Sequence, residues 1–359
     1  MNARSQLAHQ LHADLATWLP DEHQGRLKVF AQFLMGLFFC GSVYLYKVAK
    51  EIPGPATNPS KTRKIRRLLD NPAIRVRAWY RPLAENILAE IVAQGLPIRL
   101  LLDGSKIGFN HQLLMVAVAY RRRAIPIAWT WVQGPRGHSS GRKQIALLAY
   151  VHSLMPAGAQ VYLAGDGEFG AVAVLKWLDR VGWKYVLRQA RDTQVQVQPQ
   201  GGWQPFATLI TRWRQQVWHP QAQLTHKHAY HVNLAAYWQP GEAHPWLLAT
   251  NFPDLRAALR LYRKRMWIEE LFGDLKGHGF DLESTQLRHF LRLSRLTLGV
   301  VLVYLWLIAY GSRVIKNSQR YLVDRADRRD LSIFRIGLEM VNRHITNEET
   351  FRIYWLPYF

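Results

Sequence analysis

The sequence predicts an α/β fold: a mixed-sheet core split by a β-rich insertion, with a helical N-terminal unit and a helical C-terminal region. Three observations carry this expectation. Between residues 97 and 190, short apolar runs alternate with helix-length amphipathic segments in the order β-β-β-α-β-α-β. From about 190 to 250 the helical period disappears, and the chain turns Gln- and Trp-rich with two-residue alternations such as QVQVQ and HVNLAAYW. Both flanks return to a 3.6-residue period. With 359 residues, 49% of them hydrophobic, the chain has material for two or three structural units and a large buried core.

Residues 1–92 read as a basic helical unit. Helical spacing over His9 to Leu19 is followed by VFAQFLMGLFFCGSVYLYK, read as one buried helix. Gln32, with Lys28 and Lys47 at its edges, leaves the uninterrupted apolar run short of the roughly 20 residues a membrane span needs. EIPGPATNPS breaks the pattern, and KTRKIRRLLDN follows with five basic residues in the seven from Lys61 to Arg67. A basic helix after a Pro/Gly/Ser turn suits a small DNA-binding unit, with Lys64, Arg66 and Arg67 as phosphate contacts.

Residues 93–190 form the first part of the core. PIRLLLD is an apolar strand ending in Asp103; MVAVAY and AIPIAWTWV follow at hairpin spacing around the basic turn RRR. GRKQIALLAYVHSLM is a helix, VYLAGD a buried strand ending in Asp166, AVAVLKWLDRVG a second helix and KYVLRQ a fifth strand. The loop GPRGHSSGRKQ brings Arg136, Arg142 and Lys143 as further phosphate contacts. Residues 191–252 are the β-rich insertion, and 253–295 return to the core with a helix over Tyr262 to Lys276. Residues 296–359 are helical, with an expected role in dimerisation. Their apolar run LGVVLVYLWLIAY is shorter than a membrane span, and LSIFRIGLEMVNRHI is amphipathic.

Charge and cysteine usage narrow the function. Lys and Arg number 47 against 25 Asp and Glu, a formal charge of +22 and a pI near 10.3, so the expected partner is a polyanion. A single cysteine, Cys40, excludes an internal disulfide framework and a four-cysteine zinc site, and it fits a reducing compartment such as the cytoplasm. Nothing at the N-terminus has the order of a cleaved signal peptide, so neither membrane nor export is expected. His219, His226, His228, His231 and His244 have no Cys or acid beside them at zinc-like spacing.

The chemistry concentrates in YRKRMWIEELFGDLK. On a helical period, Tyr262, Arg265, Glu269 and Lys276 fall within roughly 60° of one another, beside an apolar stripe of Leu261, Ile268, Phe272 and Leu275 rotated by roughly 80°. Glu270 points elsewhere. If the strands ending in Asp103 and Asp166 lie side by side, their carboxyl ends converge, and a helix packed on the sheet delivers Glu269 as a third carboxylate. Three hard oxygen donors suit two Mg²⁺ ions, with Mn²⁺ as a substitute. Such ions activate a water or 3′-hydroxyl and stabilise the leaving oxygen in phosphodiester cleavage and joining.

Tyr262-x2-Arg265-x3-Glu269-x6-Lys276 resembles, at the same spacing, the Tyr-Arg-Glu-Lys signature of bacterial insertion-sequence transposases of the insertion sequence four family. The resemblance covers roughly residues 97 to 340. It implies a ribonuclease-H-like core, Asp103, Asp166 and Glu269 as catalytic metal ligands, and Tyr262, Arg265 and Lys276 as holders of transposon-end phosphates. It further implies cut-and-paste transposition through DNA hairpins, by a homodimer acting on paired double-stranded ends and a target, with no small-molecule substrate, on the bacterial nucleoid. Asp103-Gly-Ser-Lys and Asp166-Gly-Glu-Phe-Gly match the family less closely than the helix does, which leaves Glu168 as a substitute for Asp166.

Two rival readings are weaker. GDGEFG, between a strand and a helix, has the spacing of a dinucleotide-binding loop, but the next strand ends in VLRQ instead of a ribose-binding acid. A transposase-derived DNA-binding protein that no longer cuts is the alternative, against which the full set of acids argues.

Overall fold

In the computed structural model, which describes residues 3–108, 111–133 and 139–359, the chain opens with helices α1 (Ala3–Trp18), α2 (Gln24–Cys40), α3 (Leu45–Glu51), α4 (Asn58–Asp70) and α5 (Val76–Ala93). There follow β1 (Ile98–Ile107), β2 (His111–Tyr120), β3 (Arg123–Gln133), α6 (Gly141–His152), β4 (Val161–Gly165), α7 (Val172–Arg180) and β5 (Lys184–Arg188). The insertion supplies β6 (Gln194–Gln196), β7 (Gln204–Pro205), β8 (Gln216–Leu224), β9 (Tyr230–Tyr237) and β10 (Trp246–Thr250). Helices α8 (Leu255–Tyr262), α9 (Met266–Leu275), α10 (Phe290–Lys316) and α11 (Ile333–Thr346) complete the order. Arg136, expected to touch phosphate, lies outside the described residues.

By internal contacts the chain divides into two units, Met1–Glu90 with Ile107–His111 and Leu271–Phe359, and Ile91–Lys106 with Gln112–Glu270. In the first, the long apolar stretch is not one helix. Gly41, at φ 55°, ends α2 in the left-handed conformation, and α3 leaves at a bend of 101°. Gly36 lets α3 approach, since a Cβ there would come within 2.7 Å of Val48 Cγ1. In α4 the Thr57 side chain caps the first turn and Pro59 pre-sets it; Thr62, Ile65, Leu68 and Leu69 are buried, leaving Arg63, Lys64, Arg66 and Arg67 exposed.

The C-terminal apolar run is the centre of α10, a 27-residue helix with the length and hydropathy of a span. Its most apolar stretch is 89% buried by the protein's own side chains, as in a core helix. It meets α11 at a glycine contact so close that a Cβ on Gly337 would lie 2.0 Å from the Leu307 carbonyl oxygen.

The second unit is built on one ten-stranded sheet of order β3-β2-β1-β4-β5-β10-β9-β8-β6-β7. β1, β4 and β5 run parallel, with Leu102 opposite Gly165 and Gly165 opposite Leu187. β2 and β3 are joined by a two-residue turn in which Arg121 and Arg122 both have positive φ, 43° and 67°, the hand that matches strand twist. A three-strand meander followed by two parallel crossover strands, in the order 3-2-1-4-5, is a ribonuclease-H-like core. The insertion extends the same sheet, because β10 pairs antiparallel with β5 and β9 with β10.

Candidate active site

The site begins where β1 and β4 stop pairing. Leu102 and Gly165 are their last partnered residues, so Asp103 and Asp166 follow side by side at the carboxyl edge of the parallel pair. β1 itself continues to Ile107, so Asp103 lies within the strand and not at its end as the sequence suggests. The other neighbour of β1 in the sheet is β2. Asp166 opens a single turn, Gly167–Phe169, anchored by the fully buried Phe169.

Arg188 closes β5, one position beyond the Gly165–Leu187 pair, and its Nη1 lies 3.8 Å from Asp166 Oδ1. Sequence reasoning passed over Arg188 as an ordinary strand residue. The signal was there: it is the one charge at the carboxyl end of the strand neighbouring Asp166.

Tyr262 to Lys276 is not one helix. Asp254 caps α8 by accepting the Ala257 amide at 2.8 Å, and α8 ends at Tyr262. The next amides bond three residues back: Lys264 to Leu261 and Arg265 to Tyr262, each at 2.9 Å, then Trp267 to Lys264. This tight turn eclipses residues three apart, which keeps Tyr262 and Arg265 on one side before α9 resumes. The expected stripe therefore survives the break as far as Glu269.

Arg265 is 8% exposed. Its Nη1 donates to Asp103 Oδ2 at 3.3 Å and its Nη2 to Glu269 Oε1 at 2.6 Å, so one planar fork joins two acids that lie far apart in sequence. Burying a guanidinium is tolerated when carboxylates satisfy it in this way. The Tyr262 ring, also buried, lies under the guanidinium at 6.0 Å, with the edge of Trp246 against it at 5.1 Å.

The electrostatics mark strain between these charges. Burial pushes the Asp103 carboxyl up to about 7; Arg265 and the Gly104 amide pull it down, while Asp166 and Glu269 push it up. Desolvation wins because Arg265 is shared and stands closer to Glu269. Burial lowers the affinity of Arg265 for its proton, but Tyr262, Asp166, Glu269 and Asp103 together raise it above the usual arginine value. The Tyr262 hydroxyl is pushed up to about 12 by burial, against the pull of Arg265 and Arg188.

By donor chemistry the three carboxylates suit a hard divalent ion: all are oxygen donors, and Asp103 feels the charge of the other two. Yet among the described residues no three acids, histidines or cysteines stand close enough to hold an ion. The positive charge between Asp103 and Glu269 is the Arg265 guanidinium, and Arg188 stands beside Asp166.

Other expected residues sort differently. Glu168, the alternative to Asp166, has both its oxygens hydrogen-bonded, by Ser139 and Gln112. Lys276 follows the end of α9, belongs to the helical unit and pairs with Glu283 at 2.7 Å. Arg142 and Lys143 are exposed in the first turn of α6, where cations oppose the helix dipole, so helix stability does not explain them. Lys64, Arg66 and Arg67 stand on the outer face of α4, Lys64 touching Gln32 at 3.2 Å. The first and last glycines of GDGEFG serve packing: a Cβ on Gly165 would lie 2.9 Å from Leu187 Cδ2, and one on Gly170 2.5 Å from the Arg188 carbonyl oxygen. Burial raises the Cys40 thiol to about 11, so it is inert.

Residues 132–306, a little under half of the chain, match the family model of the transposase DDE domain. That stretch includes Asp166, Arg265, Glu269 and Lys276 but not Asp103. No curated protein matches the sequence. Among solved structures, the piggyBac transposase synaptic complex with hairpin DNA aligns over 96% of this chain and 78% of its own, at 10% identity and a TM-score of 0.42, too distant a likeness to bear on the chemistry.

Proposed function

We propose that this chain is a DNA transposase that cuts and joins phosphodiester bonds at the ends of an insertion sequence. The observation that carries the reading is the meeting of Asp103 and Glu269 on the buried Arg265, beside Asp166, at the carboxyl edge of β1 and β4. The match to the transposase DDE domain supports it from the sequence side.

On this reading Asp103, Asp166 and Glu269 hold divalent ions, Mg²⁺ by choice of hard oxygen donors. When bound, such ions supply Lewis-acid stabilisation of the attacking and leaving oxygens. The chain's own residues do the rest. Tyr262, Arg265 and Arg188 orient the scissile phosphate, with Arg265 exchanging carboxylate partners for phosphate oxygens of the same bidentate geometry. Lys276, Arg142 and Lys143 hold neighbouring phosphates, and residues 1–92, through Lys64, Arg66 and Arg67, bind the element's ends. Membership of the insertion sequence four family, hairpin intermediates, a dimer on paired ends and action in the cytoplasm on nucleoid DNA complete the reading.

The test is cleavage of a linear duplex carrying the element's ends in Mg²⁺. Wild type and Glu270→Gln cut, since Glu270 only pairs with Arg123 at 2.9 Å, half exposed. Glu269→Gln binds the duplex and leaves it intact. A wild type that binds these ends yet cuts with no divalent ion would make the chain a DNA-binding relic.

A further inference from the structure

Glu168, two residues after Asp166, is held by a hydrogen-bonded network whose Gln112 packs against Gly104 beside Asp103, and this network takes no part in the chemistry described above. Glu168 Oε1 accepts the Ser139 amide at 2.6 Å and the Ser139 hydroxyl at 2.5 Å, and Oε2 accepts Gln112 Nε2 at 2.8 Å. Gln144 Nε2 donates to the Glu168 carbonyl at 3.1 Å and to Ser139 Oγ at 3.0 Å. Gln112, Ser139 and Gln144 are all buried. A carboxylate with three donors fixed on it is held far more stiffly than an exposed one.

The network reaches both aspartates through the backbone. Glu168 sits two residues after Asp166 in the same short turn. Gln112 lies flat on Gly104, so closely that a Cβ there would come 2.2 Å from its Nε2, and the Gly104 amide donates to Asp103 Oδ1 at 2.7 Å. Gly104 is thus required by close approach, and moving Gln112 moves the peptide that holds Asp103.

We infer that Glu168, clamped by Gln112 and Ser139, is a positioning residue that sets the separation of Asp103 and Asp166. This rests on the reading of both as metal ligands. Groups behind ligands cost about 10–100-fold in metal affinity or activity when removed. Glu168→Gln keeps the shape but turns one acceptor into a donor facing other donors.

The experiment is a Mn²⁺ titration of the full chain by thermal shift, alongside duplex binding and cleavage. Glu168→Gln is expected to move the Mn²⁺ midpoint up by about 10–100-fold, with duplex binding unchanged. Gln112→Leu should do the same, and the double variant should be little worse than either, because both break one element. Should Glu168→Gln fail to fold, Ser139→Ala, which removes one of the three donors, carries the test with a smaller shift in the same direction. An unchanged Mn²⁺ midpoint, with or without a lower metal-free melting temperature, makes the network purely structural and overturns the inference. A wild type that shows no Mn²⁺ response overturns it too. A normal Mn²⁺ titration with no cleavage by the wild type defeats the transposase reading alone.

Discussion

Two buried arginines, one in each unit, are satisfied in opposite ways. Arg295, 6% exposed on α10, donates to backbone: its Nε to the Ile74 carbonyl at 3.1 Å and its Nη1 to the Leu69 carbonyl, in the last turn of α4, at 2.8 Å. Arg265, 8% exposed, donates to two carboxylates. Carbonyls at a helix end have fixed partial charge and nowhere to go, so Arg295 is cement. Carboxylates bind cations, take protons and exchange partners, so under the proposed function Arg265 holds a place that other charges compete for. Burial alone does not tell a structural guanidinium from a functional one; the chemistry of its acceptors does.

Substituting the two arginines should pull them apart. Arg295→Met leaves two buried carbonyls without a donor and is expected to destabilise by about 3 kcal/mol, seen as a large fall in melting temperature. Arg265→Met should cost far less stability, because Asp103 can take up a proton when its cation is lost, while strand cleavage disappears. A larger stability loss at Arg265 than at Arg295 would break the contrast. Next in size is Gly337→Ala, whose Cβ would lie 2.0 Å from a backbone oxygen of α10 and must push the helices apart. Overpacking of this kind costs about 1–3 kcal/mol, again read from thermal unfolding.

How legible each region was in the sequence follows the same division. The order β-β-β-α-β-α-β was readable because buried parallel strands are short apolar runs and their crossover helices keep a 3.6 period. The acids stood out because carboxylates following apolar strand runs and on a helix stripe break those patterns, although Asp103 falls inside β1 and not at its end. Less was visible where the backbone departs from regular geometry. Nothing in YRKRMW announces the tight turn that splits α8 from α9, since its residues are compatible with a helix. Gly36 and Gly41 lie inside the stretch read as one buried helix, yet one admits α3 and the other ends α2. Glu168, Gln112 and Ser139 were out of reach because their partnership joins three separate segments, and polar residues scattered at that distance carry no period.

The Asp103 carboxyl sharpens the comparison through pH. Its proton is held in the metal-free fold up to about 7, whereas the unfolded chain releases it near 3.8. Between those values the folded state binds more protons, so its stability falls as pH rises from about 4 to about 7, and levels off above. Asp103→Asn removes that slope. In chelator, the variant should unfold at a higher temperature than wild type at pH 8 and at nearly the same temperature at pH 4. Arg295 donates to carbonyls and has the charge of Asp70 nearby, but it shares no buried carboxylate of this kind.

The smallest effect on stability should come from Gly167→Ala, the counterpart of Gly337 in the site loop. Gly167 stands between Asp166 and Glu168, its φ is not positive, and a Cβ there would meet no atom within 4 Å. Thermal unfolding should therefore move by no more than about 0.5 kcal/mol, and in the stabilising direction if at all, because alanine narrows the unfolded ensemble. The same methyl occupies the open side of the Asp166 turn, where a phosphate backbone would approach. Unaltered melting together with a cleavage rate several-fold lower would mean that the turn meets the DNA strand itself. Unaltered melting with unaltered cleavage would confine DNA contact to the side chains around Arg265. A pronounced loss of stability would contradict the geometry, leaving the helix contact at Gly337 and the loop at Gly167 no longer distinguishable.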